Sequence, residues 1–181
     1  SDLYDLYMEL QFRLNEKKIV TENIIADITN RKRLEDIFAT YRPAYVFHAA
    51  AYKHVPLMEL NAIEATHVNV IGSMYLTDLA IQYEVEQFIM ISTDKAVNPT
   101  SVMGATKRAA EIYVQERSQH SRKTTFITTR FGNVLGSNGS VVNYFNKQIE
   151  NGGTLTITHL DVTRYFMTIP EACQLVLEAG A

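Results

Sequence analysis

Apolar positions along the chain switch repeatedly between a helical and a strand-like period. Residues 1–13 repeat at helical spacing, with Leu3, Leu6, Tyr7, Leu10 and Leu14 on one face. Residues 23–28 predict a short strand, and Thr29 or Asn30 can cap a helix carrying Leu34, Ile37, Phe38 and Tyr41 until Pro43 stops it. Residues 44–50 form a continuous apolar run of the kind buried on both faces of a parallel sheet. A long helical pattern covers about 63–83, a buried strand 87–93, and a helix 101–116 behind Pro99. The β-branched run 124–130 predicts a further strand. A helix over 140–150, a short strand over 155–157 and a last helix opened by Pro170 complete the pattern. Strands alternate with helices, and no two-residue hairpin turns join them. The prediction is an α/β fold of βαβ units on a doubly wound parallel sheet.

A chain of 181 residues without linker or repeat predicts one domain, 1–181. Its first glycine is Gly72, so no glycine-rich phosphate loop lies in the first 71 positions. A nucleotide-binding half of this class opens with strand, glycine loop and helix. The fold is therefore expected to be incomplete at both ends, lacking that unit and the end of the substrate region. A net charge of −3 with five scattered histidines and no basic block argues against nucleic acid as partner. No stretch approaches the roughly 20 apolar residues of a bilayer span, so this segment is expected to make no membrane contact. Cys173 has no internal disulfide partner, and its apolar helical setting predicts a buried structural thiol. His48 and His54 are poorly spaced for zinc and no cysteine pair assists them, so no metal site is expected.

In a doubly wound sheet, ligands bind beyond the carboxyl ends of the strands. Those ends read Asp27-Ile28, His48-Ala49-Ala50-Ala51, Ser92-Thr93-Asp94-Lys95 and Arg130-Phe131-Gly132-Asn133. Small residues after the second would admit a flat ring, and ionisable residues crowd the third. Met103 and Lys107, four apart on the following helix, share a face. Plain structural roles exist for each residue taken singly. Asp27 could cap a helix, Lys53 and Arg164 could be solvated surface charges, Met103 could be core filler, and Asn69 a buried structural amide. Gly132, Gly136 and Gly139 could simply turn the chain, because no Gly-Lys-Ser/Thr follows to make a phosphate loop.

Four blocks, 48–56, 92–100, 103–107 and 130–137, together resemble the polysaccharide-biosynthesis branch of the extended short-chain dehydrogenase/reductases. That branch includes the UDP-N-acetylglucosamine 4,6-dehydratases. The resemblance implies a Rossmann-like fold, a NAD (or NADP) cofactor, a UDP-sugar substrate, a homo-oligomer and a cytoplasmic site of action. Membrane tethering would belong to sequence outside this chain, as in the long members. The wider superfamily carries a catalytic Tyr-x-x-x-Lys pair, but here Met103 stands in the tyrosine position, and none of the ten tyrosines precedes a lysine by four. Methionine accepts no proton, so another group must serve the sugar's C4 hydroxyl.

By the resemblance, NAD⁺ oxidises C4, water leaves across C5 and C6, and the hydride returns to C6. Asp94 would protonate the departing C6 hydroxyl, Lys95 would abstract the C5 proton, and Thr93 would hydrogen-bond the C4 hydroxyl. Lys107 would hold the nicotinamide ribose. Asp27 and Ile28 would flank the adenine, and Ala49, Ala50 and Ala51 the nicotinamide side. Lys53 would reach both cofactor and substrate, and Asn69 would line the cofactor cleft. Asn133 and Val134 would meet the substrate diphosphate, and Arg164 the UDP moiety. Alternate residues of a strand face opposite ways, so Asp94 and Lys95 can serve one sugar only if the strand has ended by Asp94. Two other functions are compatible with the scaffold: a UDP-sugar epimerase, or a catalytically silent nucleotide-sugar-binding segment. An epimerase needs no acid at C6, which weighs against it.

Overall fold

The computed structural model describes residues 2–14, 19–137, 140–157, 159, 161 and 163–181. Gly139 and the side chain of Leu3 lie outside the described residues. Helix α1 (Asp2–Leu14) forms as its period predicts, but Leu6 and Tyr7 of its apolar face are exposed. Residues 23–27 do not form the expected strand and Ile28 is already in a turn, because a strand needs a ladder partner and this segment has none among the described residues. They lead into a turn closed by Asn30 N–H donating to Asp27 O at 3.0 Å. Helix α2 (Arg31–Tyr41) follows, capped by the Asn30 side chain on Arg33 N–H.

Three parallel strands, β1 (Tyr45–His48), β2 (Gln87–Thr93) and β3 (Thr125–Phe131), make the main sheet in the order β1-β2-β3. Register pairs Val46 and Phe126 with Phe88, and His48 with Met90. This face meets α2, α5 (Ser73–Gln82) and α6 (Val102–His120) in a core of Leu34, Phe38, Leu79, Phe88, Met90, Ala110 and Val114. Ile89 points the other way, toward Gly180 at the end of α8 (Ile169–Ala179). The sheet is therefore flanked by helices on both sides, as a Rossmann-type layer requires. One expectation fails at β1: the strand has four residues rather than seven, and Tyr45 and Phe47 are 52% and 49% exposed. It is an edge strand with one ladder partner, β2.

The helical pattern over 63–83 is one continuous helix of three parts: α4 (Ala62–Thr66), a π-helical stretch His67–Gly72, and α5. Before it comes α3 (Val55–Leu60), which the periodicity missed, with Pro56 in its first turn, where a missing N–H costs nothing. Gly72 permits close packing, since a Cβ there would lie 2.6 Å from Ile28 Cδ1.

Residues 155–157 do not form the expected strand. The second sheet is instead β4 (Asn133–Val134) beside β5 (Phe166–Met167), in parallel. Between β3 and β4, Gly132 lets the chain pass the Tyr165 carbonyl, 2.7 Å from where a Cβ would stand. Helix α7 (Val141–Glu150) is capped by Ser140, and α8 by a reciprocal Thr168–Glu171 box behind Pro170. Cys173 corrects another expectation, for it is exposed. Helix α8 buries Ala172 and Val176, four apart, and leaves Cys173 turned off that stripe. Among the described residues no helix is long and apolar enough to cross a membrane, and no three His, Cys, Asp or Glu side chains group to hold a metal.

Candidate active site

The strand ends of β1, β2 and β3 open into a cleft of about 500 Å³. Of the residues singled out from sequence, Ala49, Ala51, Lys53, Thr93, Lys95, Met103, Lys107, Asn133 and Val134 line it. The rest of the wall comes from the loop after β1, the ends of β2 and β3, the starts of α3 and α7, and Phe166 of β5.

Backbone geometry resolves the strand-end difficulty. Ladder pairing stops at Thr93, and Asp94–Ala96 turn at once into a single 3₁₀ turn capped by the Thr93 hydroxyl, which accepts from Lys95 N–H at 3.3 Å. Asp94 and Lys95 are thereby folded together. Lys95 Nζ donates to Asp94 Oδ1 at 3.0 Å and to Asn133 Oδ1 at 3.2 Å, while the Thr93 hydroxyl donates to the same Asp94 oxygen at 2.9 Å. Partial burial raises the Asp94 carboxyl, but the bonds from Lys95 and Thr93 outweigh it and hold the group below its ordinary range. Asp94 is a carboxylate at rest. The contact between Lys95 and Asn133, 38 positions apart, has no signal in local pattern.

Lys107 lies under the cleft on α6, 5% exposed, with Nζ donating to Ile91 O at 2.8 Å. Burial lowers its ammonium from 10.5 to about 8, opposed by the charge of Glu111. The sign for stability follows directly. The folded chain binds fewer protons at Lys107 than the unfolded chain between pH 8 and 10.5, so its cost is full below about 8 and fades as pH rises toward 10.5. Denaturant unfolding of Lys107→Met and the parental chain should therefore converge in the variant's disfavour by about 3 kcal/mol between pH 7 and pH 10.5. A difference independent of pH would refute the buried charge.

His48 ends β1 and is buried. Burial, and then the charge of Lys107, pushes its imidazole down to about 3, so it is neutral. Its Nε2 meets Ser73 Oγ at 2.7 Å, and that hydroxyl donates to Asn69 O at 2.6 Å. Asn69 corrects the expectation that it lines the cleft. It is 0% exposed, accepts from Tyr52 N–H at 2.8 Å, and donates to Tyr52 O at 3.1 Å and Thr106 Oγ1 at 3.0 Å. With both amide ends occupied by protein, it fixes the loop after β1 from beneath. The widened π turn carries it there.

Met103 is buried against Met58 and Ala65 while presenting an edge to the cleft, so both readings of it, core and site, hold in part. Asp27, Ile28, Ala50 and Arg164 are not brought into the cleft, and Asp94 adjoins it through its bond with Lys95 without lining it. Asp27 accepts from Thr29 N–H and its hydroxyl, both at 2.8 Å, which lowers its carboxyl. Ile28 packs on the core, and Arg164 donates to the neighbouring Thr163 O. The sequence reading passed over Gly104 and the Glu111–Arg130 pair, though both sit inside motifs it quoted or beside them.

A family described as polysaccharide biosynthesis protein matches residues 1–181, the whole chain. The capsular polysaccharide biosynthesis protein CapD of Staphylococcus aureus is 50% identical over 181 residues, all of this chain and 30% of CapD. A UDP-glucose 4-epimerase of Rickettsia rickettsii is 38% identical over 173 residues, 94% of this chain and 50% of that protein. The crystal structure of Pen from Bacillus thuringiensis superposes with a TM-score of 0.85 at 36% identity, covering 98% of this chain and 56% of that one. The chain thus spans a third to about half the length of these relatives. Further structures that share the fold at 21% identity, with a TM-score of 0.72, are of a Bordetella bronchiseptica enzyme, WbmG, with NAD or with NAD and UDP. The chain belongs to the polysaccharide biosynthesis protein family, a branch of the extended short-chain dehydrogenase/reductases on a Rossmann fold.

Proposed function

We propose that this chain carries the catalytic centre of a NAD-dependent UDP-N-acetylglucosamine 4,6-dehydratase whose polypeptide includes further sequence. The observation that carries this reading is the Asp94–Lys95 pair at the end of β2, where Lys95 lines the cleft and its amine stands 3.0 Å from the Asp94 carboxylate. Elimination of water needs an acid beside one carbon and a base beside the next, and two adjacent, hydrogen-bonded groups of these types meet that need.

The residues fit the nicotinamide half of a dinucleotide. Ala49 and Ala51 leave the wall low, and the buried amine of Lys107 stands at the floor. No glycine loop for the pyrophosphate occurs in the first 71 positions, so tight binding would need sequence beyond this chain. When bound, NAD would supply hydride acceptance at C4 and hydride return at C6.

The protein's own groups move the protons. Thr93 Oγ1 accepts from the C4 hydroxyl and passes its own proton along its existing bond to Asp94 Oδ1. This path bypasses Met103 and leaves Asp94 protonated, ready to donate to the departing C6 hydroxyl. Lys95, once its ammonium has given a proton to solvent, takes the C5 proton and returns one to C5 at the end. Asn133 Oδ1 holds the amine in place meanwhile. Lys53 and Val134, which line the cleft, would meet the substrate's nucleotide, and Lys53 the cofactor as well; Asp27, Ile28 and Ala50 would flank the cofactor and Arg164 the UDP moiety from outside this wall.

A second reading is a UDP-sugar 4-epimerase, which the 38% identity to the Rickettsia rickettsii protein favours. One assay separates the two. The full-length protein is incubated with UDP-N-acetylglucosamine and NAD⁺ in D₂O, and the sugar nucleotide is followed by mass. Loss of one water with gain of one deuterium supports dehydration. An unchanged mass with an inverted C4 centre by NMR would establish the epimerase, and an untouched sugar would leave a binding protein.

A further inference from the structure

Lys107 is an ammonium buried to 5% exposure, and burial weakens its hold on the proton. A negative group close by opposes that loss. Glu111 lies four residues on, one turn away on the buried face of α6, with 4% exposure. Its carboxylate is forked by Arg130 of β3, through Nε to Oε1 at 2.8 Å and Nη2 to Oε2, and it accepts from Arg108 Nη1 at 3.1 Å. Arg130 stands three residues before Asn133, the second partner of the Lys95 amine.

We propose that Glu111 is a positioning residue of the site, whose buried carboxylate keeps the Lys107 ammonium charged under the cleft and, through Arg130, ties α6 to β3, the strand that leads into Asn133. This rests on the dehydratase reading only for its functional consequence. The electrostatic relation is a property of the chain itself.

The charged neighbours of this cluster can be named element by element. On α6 they are Arg108 and Glu111, and on β3 Arg130. On β1 stands His48, neutral and responsive to Lys107. At the end of β2 are Asp94 and Lys95, which line or adjoin the same cleft. The arginines and hydrogen bonds outweigh burial and hold the Glu111 carboxyl below its ordinary range, so it supplies negative charge at all pH values where Lys107 titrates. Arg130 and Arg108 offset part of that charge, but Glu111 nevertheless acts to raise the Lys107 ammonium.

The sign of one substitution separates this role from a merely structural one. Glu111→Gln keeps the shape and removes the charge. If Glu111 holds the Lys107 proton, that titration moves down from about 8 by about 1 pH unit or more. If Glu111 only clamps α6 to β3, the variant loosens the helix, water reaches Lys107, and the titration moves up toward 10.5.

The measurement is the Nζ resonance of ¹⁵N-lysine-labelled full-length protein, titrated between pH 6 and pH 11 and assigned by its loss in Lys107→Met. Glu111→Asp is the companion variant: retained charge should leave the titration near its parental position even though the shorter side chain gives up one arm of the fork. A downward shift in Glu111→Gln, restored in Glu111→Asp, supports the proposal. An upward shift, no shift, or equal behaviour of the two variants overturns it. None of these readings uses substrate, so failure of the dehydratase assay and failure of this proposal are separate results. Where dehydration is observed, the pH above which NAD binding weakens should fall in Glu111→Gln by the same interval as the Lys107 titration.

Discussion

Lys95→Ala in the full-length protein is expected to lower formation of the dehydrated sugar roughly a hundred- to ten-thousand-fold, the range over which a single general base acts. The fold should survive. Lys95 is partly exposed, and exposed or half-exposed ion pairs such as Lys95–Asp94 contribute about 1 kcal/mol or less. The substitution also leaves Asp94 without the donor that lowers it, while Thr93 still donates to the same oxygen. Oxidation at C4 therefore has its proton path intact, and only the C5 step lacks a base. The diagnostic result is separation of the two stages: reduced nicotinamide accumulates on mixing with the sugar, but neither water loss nor deuterium at C5 appears. Dehydration at the parental rate would sink the assignment of Lys95.

Gly104→Ala should be the most damaging change of a single methyl group. Glycine in the first turn of an exposed helix normally weakens it by up to about 1 kcal/mol relative to alanine, so propensity alone predicts a gain. Here the added Cβ would stand 2.3 Å from the Lys95 carbonyl oxygen and 3.2 Å from Pro99 Cβ. The obstacle is backbone, which cannot rotate away, and helix α6 must move off the 3₁₀ turn. Overpacking of this kind costs about 1–3 kcal/mol. The functional loss should be larger than the stability loss, because a displacement of about 1 Å at a reacting group can cost a hundredfold in rate. Unfolding of the variant and its turnover with saturating sugar check both halves. An alanine variant that is more stable and fully active would show that the turn and helix do not need this contact.

Gly104 also marks a limit on what the sequence could reveal. The bounds of β2 were readable because both faces of Phe88, Ile89 and Met90 are buried, so a continuous apolar run is its own signature. The caps at Asn30 and Ser140 and the prolines at helix starts were readable for a similar reason, since they act on neighbours two or three residues away. The missing strand over 23–28, the half-open β1 and the β4–β5 pair were not, because each depends on which distant segment lies alongside. The site divides the same way. Thr93, Asp94, Lys95, Met103 and Lys107 come from two short blocks and were found together. Asn133's bond to Lys95, Asn69's inward amide and the fork of Arg130 on Glu111 link residues 19 to 38 apart, where a motif gives the identity of a side chain but not its partner. Of the two readings of Asn69, the buried structural amide holds and the cleft-lining one does not, and periodicity could not choose because it could not see that one turn of this helix is wider than the rest.

That wider turn works as a phase shifter. An α-helix advances about 100° per residue, and a π turn absorbs one extra residue without lengthening the rod in proportion. Everything before His67 is thereby rotated about the common axis relative to everything after Gly72. Helix α4 can address α3 while α5, on the same rod, addresses the sheet and α2, and both rest on α6. The chain thus serves two differently oriented walls of the molecule with a single uninterrupted helix, where two helices and a loop would otherwise be needed. Its length across this stretch is a counting constraint: substitutions at Val68 or Val70 change packing locally, whereas a residue removed there would turn one half of the rod against the other and carry Asn69 away from Tyr52.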